Sequence, residues 1–282
     1  MERVLTFPQM YIVSDSVGVT AQQLVRAAAV QFGIHNPALE ILSKVQSWEE
    51  IERFITKQLA ATNSNTEEIL VFYTLVNPKL REAFKDYAAN NARVIALDLL
   101  GDALAALARI SGLKPHDMPG ELRIADEQYF KRIEAMEFSI AHDDGQRPED
   151  LAQADIVLLG VSRTSKTPTS IYLSQQGYKV ANIPLDSSTQ PPNQLFSLDS
   201  KRIFGLVTSA EVLREIRQRR LGNASGVAQE YADLNAVYED LDKARALMRK
   251  LGCIVINTNN RAIEETAQEI LRYYHVSFPQ FG

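Results

Sequence analysis

The sequence predicts an α/β protein: an N-terminal α/β domain, then a C-terminal domain in which a parallel sheet carries flanking helices. Three observations predict it. Short apolar runs of strand length alternate with helical patterns along most of the chain. The alternation breaks between Gly112 and Gly120, where Pro115 and Pro119 also fall. It resumes at Asp155–Gly160, an apolar strand that runs straight into a polar loop and a helix. The expected divisions are 1–115 for the first domain, 116–150 for a linker with a bridging helix, and 151–282 for the second domain.

Taken in order, Met10–Val13 reads as a buried strand, Ser14–Thr20 as a polar loop and Ala21–Phe32 as an amphipathic helix. Ala38–Leu42 reads as a strand and Trp48–Leu59 as a helix with a glutamate-rich first turn. Ile69–Tyr73, Pro78–Asn90 and Arg93–Leu97 continue as strand, helix and strand. Asp126–Ala141 reads as a helix that places Tyr129, Phe130, Ile133, Met136 and Ile140 toward one face, fit to bridge the two halves. In the C-terminal half, strands are expected at Asp155–Gly160, Lys179–Pro184, Ile203–Val207 and Cys253–Asn257. Helices are expected at Pro168–Gln176, Ala210–Arg220, Glu230–Leu251 and Ala262–Tyr273. Short apolar strands separated by helices favour parallel pairing under helical layers.

Composition excludes several classes. With 282 residues, 45% of them hydrophobic, the chain can bury one or two sizeable cores without covalent staples. Cys253 is the only cysteine, which excludes an internal disulfide and a cysteine metal cluster and points to a cytoplasmic setting. His35, His116 and His275 show no metal-ligand spacing, so no zinc site is expected. Met1–Met10 has no apolar core of the kind a secretory signal needs, and no apolar run approaches the ~18 residues of a membrane span. A net charge of −5 argues against nucleic acid as a partner.

The most informative segment is Gly160-Val161-Ser162-Arg163-Thr164-Ser165-Lys166-Thr167. A loop between a buried strand and a helix start aims backbone N–H groups at one point, which suits phosphate oxygens. Lys166 supplies a positive charge for the outer phosphate, Arg163 a forked donor, and Thr167 a hydroxyl for Mg²⁺. The match to G-x-x-x-x-G-K-[ST] is imperfect, because Ser165 stands where glycine would allow a positive φ. The plainer alternative is an ordinary strand-to-helix turn with a Ser/Thr cap. The phosphate reading makes the C-terminal domain a P-loop-kinase-like nucleotide-binding domain.

The segments Ala141-His-Asp-Asp-Gly145, Asp155–Leu173 and Lys179-Val-Ala-Asn-Ile-Pro184 closely resemble the pyruvate, phosphate dikinase regulatory proteins. Tyr11–Ser16, Val71–Thr74, Ile203–Leu206 and Ile263–Ala267 extend the resemblance along nearly the whole chain. The resemblance implies a bifunctional enzyme. It would use ADP to phosphorylate a threonine of pyruvate, phosphate dikinase, inactivating it, and would remove that phosphate with inorganic phosphate, giving pyrophosphate. A sister branch that acts on phosphoenolpyruvate synthase typically carries Cys-Gly where this chain has Thr164-Ser165, so the resemblance points to the dikinase branch. Nothing in a phosphate loop by itself distinguishes ADP from ATP.

A group that takes the acceptor's proton is expected among Asp143, Asp144 and Asp186. Asp143 and Asp144 precede Gly145, a standard turn composition as well as part of the resemblance. Asp186 follows the strand at Lys179–Pro184, where kinases of this fold often place an acid, an argument from analogy alone. Asp15 reads more simply as a cap or turn former, and His142 as structural. Arg214, Arg217, Arg219 and Arg220 read as a solvated helix face, with phosphate clamping as the alternative. Asn257–Asn260 is placed to meet a nucleotide base or simply to cap the last helix. Two further functions fit the same loop: a small-molecule kinase, and a nucleotide-sensing module without transfer activity.

Overall fold

The computed structural model describes residues 7–62, 66–121, 127–185, 190–221 and 233–279. Asp186 and the expected helix start at Glu230 lie outside these described residues. The chain divides into two compact units, Met1–Ile124 and Ala125–Gly282.

The first unit runs β1 (Met10–Ser14), α1 (Val19–Val30), β2 (Leu39–Leu42), α2 (Trp48–Ala61), β3 (Ile69–Thr74), α3 (Pro78–Ala89), β4 (Val94–Asp98) and α4 (Gly101–Ser111). Its four strands are all parallel, in the order β2-β1-β3-β4. The second unit runs α5 (Glu127–Ala141), β5 (Ile156–Gly160), α6 (Lys166–Ser174), β6 (Val180–Pro184), β7 (Ile203–Val207), α7 (Ala210–Leu221), α8 (Leu234–Leu251), β8 (Ile254–Asn257) and α9 (Ile263–Ser277). Its strands are also all parallel, in the order β6-β5-β7-β8. Both sheets therefore place their first strand inside, with the second on one side and the third and fourth on the other. Where the order reverses, the loops at the carboxyl ends of the strands part and leave a crevice.

The inner strands explain their own sequences. Every residue of β1 and of β5 is buried, because helices cover both faces of each sheet. Along β1, Tyr11 and Val13 pack with Ile51, Ile55 and Phe84, whereas Met10 and Ile12 pack with Ala21 and Val25 of α1. Along β5, Val157 and Leu159 join Leu213, Val237, Leu241 and Met248, whereas Ile156 and Leu158 join Leu173, Ile270 and Leu271. The period of two along each strand thus feeds two separate cores.

Helix ends follow familiar chemistry. The Asn77 side chain accepts hydrogen bonds from Lys79 N and Leu80 N, and Pro78 opens α3. Asp233 caps α8 in the same way, and Gly252 ends it in the left-handed conformation.

Two readings of the sequence need correction. No element was expected at 101–111, yet α4 forms there. Asp98, the last residue of β4, accepts from Leu100 N at 3.0 Å and Gly101 N at 2.8 Å, so the strand hands directly to a helix without a polar linker. Helix α5 turns a different face inward than its apolar residues suggest. Ala135 and Ser139 are its buried positions, whereas Tyr129, Phe130 and Ile140 are exposed. Small residues allow α5 to sit close to α6 and β6 within the second unit, and Ser139 Oγ accepts from Val180 N.

Phe84 is completely buried, and its ring lies 6.2 Å from that of Trp48, the only tryptophan. Phe84→Ala is expected to cost the first unit about 3–5 kcal/mol, the range for aromatic truncation in a packed core. The check is chemical denaturation followed by Trp48 emission, in which an unmoved midpoint contradicts the packing described.

Candidate functional site

Strand β5 ends at Gly160, and no other residue fits there. A β-carbon at 160 would lie 2.6 Å from the Leu206 carbonyl oxygen and 2.6 Å from Thr164 Oγ1. This close approach lets the loop 161–165 fold back over the end of the sheet. The Thr164 hydroxyl closes the loop by donating to Val161 O at 3.0 Å. Arg163 and Ser165 take positive φ values of 80° and 63°. Ser165 thus adopts the left-handed conformation that glycine serves in the common version of this loop. As the residue before α6 it makes no side-chain cap, so the first-turn N–H groups of α6 receive no hydroxyl from their own N-cap.

Lys166, the first residue of α6, is only 6% exposed, and its Nζ donates to Val161 O at 3.0 Å. Burial pushes its ammonium down to about 8; Asp144 and Asp143 oppose that shift, and Arg163 adds to it.

The acidic pair arrives from the other side of β6. After α5, the residues Asp143–Gly145 form a single 3-10 turn in which Asp144 (φ 50°) and Gly145 (φ 77°) are left-handed. The turn presents the Asp143 carboxylate to the Thr167 hydroxyl, which donates across 3.1 Å to Oδ1 and lies 3.3 Å from Oδ2. Asn182, fully buried on β6, donates through Nδ2 to Asp143 Oδ1 and, at 3.0 Å, to Thr167 Oγ1. Asp143, Thr167 and Asn182 therefore form a closed triangle. Asn182 N also donates to His142 O at 3.0 Å, fixing the chain just before the turn. His142 itself is buried, stacked on Phe138 at 3.8 Å with Nδ1 at 2.8 Å from Phe138 O, a structural role.

Asp144, Ser162, Arg163, Lys166 and Thr167 line a polar cavity of about 320 Å³. The structure thus brings the loop Gly160–Thr167 together with Asp143 and Asp144. Asp186, the third aspartate expected there, lies outside the described residues. Arg217 is not part of a solvated face: it is 2% exposed and pairs with Asp240 at 3.1 Å, tying α7 to α8. Arg219 pairs with Glu215 on the same helix. In the segment 257–260, Asn259 Oδ1 accepts from Ser209 N at 2.8 Å and from the Thr208 hydroxyl, binding the ends of β7 and β8 together. Asp15 does not cap α1, whose N-cap is Gly18; its Oδ2 accepts from Val76 N at 2.7 Å and Asn77 N at 2.9 Å. Asn182 is the site residue that sequence reasoning missed. Its signal was a polar amide in the middle of the apolar strand Val180–Pro184.

The profile of the kinase/pyrophosphorylase family matches residues 10–271. The chain belongs to the kinase/pyrophosphorylase family. Among its relatives, it is 42% identical over 269 residues to a protein of Syntrophomonas wolfei provisionally named pyruvate, phosphate dikinase regulatory protein 2, covering 95% of this chain and 96% of the relative. It is 40% identical to a Lysinibacillus sphaericus protein of the corresponding provisional name, over 94% of this chain and 97% of that one. A Clostridioides difficile relative with the same kind of name is 41% identical over 93% of this chain and 92% of its own length. Membership in the kinase/pyrophosphorylase family carries a kinase-type activity, and a cradle of backbone N–H groups, a buried lysine and paired carboxylates is chemically suited to one.

The depressed Lys166 ammonium has a readable consequence. It is charged below about pH 8 and neutral above, so affinity for an anion should fall as pH rises through that value. Sulfate, whose own charge is constant there, is the probe. Lys166→Arg keeps its charge throughout and should flatten the profile. A wild-type profile that is flat from pH 6.5 to about 9.5 would remove Lys166 from the anion cradle.

Proposed function

We propose that this protein is a regulatory kinase that transfers the terminal phosphoryl group of ADP to a threonine of pyruvate, phosphate dikinase, inactivating it. In the opposite sense it removes that group with inorganic phosphate, releasing pyrophosphate and restoring the dikinase. The observation that carries the reading is the Asp143–Thr167–Asn182 triangle set beside the buried Lys166 on the loop after β5. The names of relatives about 40% identical over nearly the whole chain supply the partner.

Each residue has a distinct task in this reading. The loop N–H groups at the start of α6 and the Lys166 ammonium hold the phosphate chain, and Arg163 adds a forked donor for the oxygens of the group in transfer. Mg²⁺ fits the oxygen pair of Asp143 and Thr167. Among the described residues no cluster of three or more His, Cys, Asp or Glu side chains forms a closed metal cage, and Mg²⁺ usually takes one or two carboxylates and fills its remaining positions with phosphate oxygens and water. When bound, it would neutralise charge on the phosphate oxygens. Asn182 keeps the Asp143 carboxylate turned toward Thr167. Asp144, which lines the cavity with Lys166, takes the proton of the threonine hydroxyl.

The balance is simple. In the forward direction a bond forms between the threonine oxygen and the terminal phosphorus of ADP, the bridging P–O bond breaks, and AMP leaves. In the other direction an oxygen of free phosphate attacks the phosphothreonine phosphorus, the threonine oxygen departs and regains its proton, and pyrophosphate forms. Both steps need the same neutralised anion cradle, so one site serves both.

Incubation with purified dikinase, ADP and Mg²⁺, followed by mass spectrometry of the dikinase, should locate one phosphothreonine. Lys166→Ala should weaken ADP binding roughly tenfold or more, the effect of losing a charge-assisted hydrogen bond. It should impair addition and removal together; removal at full rate from already phosphorylated dikinase would demand a second catalytic site. Thr167→Ser should retain most activity, whereas Thr167→Val should lose it while folding normally. Equal activity in these two variants would take the hydroxyl out of the mechanism.

A further inference from the structure

The cavity beside Lys166 has a wall that phosphate chemistry does not account for. Ile216, on α7, lines it together with Asp144, Arg163 and Lys166, and is 40% exposed. The other exposed positions of α7 among the described residues are Glu211, Arg214, Glu215, Gln218 and Arg219, so Ile216 is the only apolar one among them. Its place is fixed from behind. Leu213 is fully buried in the core, and Arg217 pairs with Asp240 of α8. A single exposed isoleucine on open surface needs no explanation, but this one is held at the mouth of a charged cavity.

The strand order says what the wall faces. The turn that carries Asp144 packs against β6, with Asn182 N donating to His142 O. Helix α7 instead follows β7. In the order β6-β5-β7-β8, the loop that leaves β5 stands between the two. Asp144 and Ile216 therefore border the phosphate cradle from opposite sides. In phosphoryl transfer the attacking and leaving oxygens lie roughly in line, with the phosphorus between them. With Asp144 taking the acceptor's proton, the threonine stands on the β6 side and AMP departs toward α7.

We propose that Ile216 is the apolar seat of the nucleoside, the residue that makes the site selective for a nucleoside diphosphate over a bare diphosphate. The inference rests on the phosphoryl-transfer reading above. A cavity of about 320 Å³ is at the small end of ligand sites, which puts the base at the rim, where one of its faces can lie against a partly exposed isoleucine. The segment Asn257–Asn260, the other candidate for the base, has Asn259 Oδ1 already accepting from Ser209 N and the Thr208 hydroxyl. Inorganic phosphate carries no nucleoside, so the two directions of the reaction differ in their need for Ile216. A side chain that touches the nucleoside acts on addition alone, whereas one that touches the dikinase acts on both.

Ile216→Ser removes the apolar contact at an exposed position. It should raise KM for ADP about tenfold at unchanged kcat, while phosphate-dependent removal from phosphorylated dikinase keeps its rate. Ile216→Leu should bring the KM for ADP back to within about twofold of the wild-type value. Calorimetry makes the same test without the dikinase. ADP should bind the Ile216→Ser protein about tenfold more weakly, and pyrophosphate, a diphosphate without a nucleoside, should bind both proteins equally. Equal losses in addition and removal would set Ile216 against the acceptor and overturn the proposal, as would an unchanged ADP affinity. A pyrophosphate affinity that falls as far as that of ADP overturns it too. If the wild-type protein transfers nothing to the dikinase while Ile216→Ser still loses affinity for ADP alone, the dikinase reading fails and the nucleoside seat stands.

Discussion

At residue 160 a carbonyl and a hydroxyl occupy the space a β-carbon would need, and the site in the second unit depends on that absence. The strand can end against the backbone of β7 only because glycine has no side chain. Thr164 then closes the loop onto Val161, Ser165 turns the chain left-handed, and α6 starts with Lys166 already pointing back into the loop. Each step takes its position from the one before it. The cost of the left-handed turn, of order 1–2 kcal/mol for a residue with a β-carbon, is met by the packing around it.

The second organising feature is electrostatic. A lysine that is nearly sealed from water is held among two aspartates, with an arginine in the same loop. Burial outweighs the carboxylates, so the ammonium is easier to neutralise than a surface lysine. In a site this dry, a negative oxygen gains more from the charge than it would in water, because the field is less screened. The Asp143–Thr167–Asn182 triangle serves the same end. It fixes a carboxylate and a hydroxyl in advance, so neither has to be ordered when a ligand arrives.

Much of this was legible in the sequence. The inner strands announce themselves because both faces of each sheet are covered, which gives unbroken apolar runs such as Ile156-Val-Leu-Leu. The loop Gly160–Thr167 was legible because its chemistry is local: strand, turn and helix start are consecutive in the chain. The triangle was only half legible. Asp143, Thr167 and Asn182 come from three separate elements, and only the parallel pairing of β5 with β6 brings them together. Asp143 and Asp144 also double as turn formers, so their type alone does not separate the roles. Helix α4 was missed because Asp98 starts it without a linker, and the face of α5 was misread because Ala135 and Ser139, rather than its large apolar residues, are buried. Arg217 shows the reverse error, a charged residue buried because Asp240 accepts from it.

The strand order has a consequence for synthesis on the ribosome. In each unit the strand made first becomes an inner strand of the sheet. The apolar residues of β1 therefore emerge well before β3, the neighbour that completes their pairing, has been translated. Until then the nascent chain displays a largely apolar strand with β2 on one side and an open edge on the other, a segment that chaperones bind and that aggregates when they do not. The same exposure recurs at β5, which waits for β7. In each unit, then, the sheet closes around a strand that is already present.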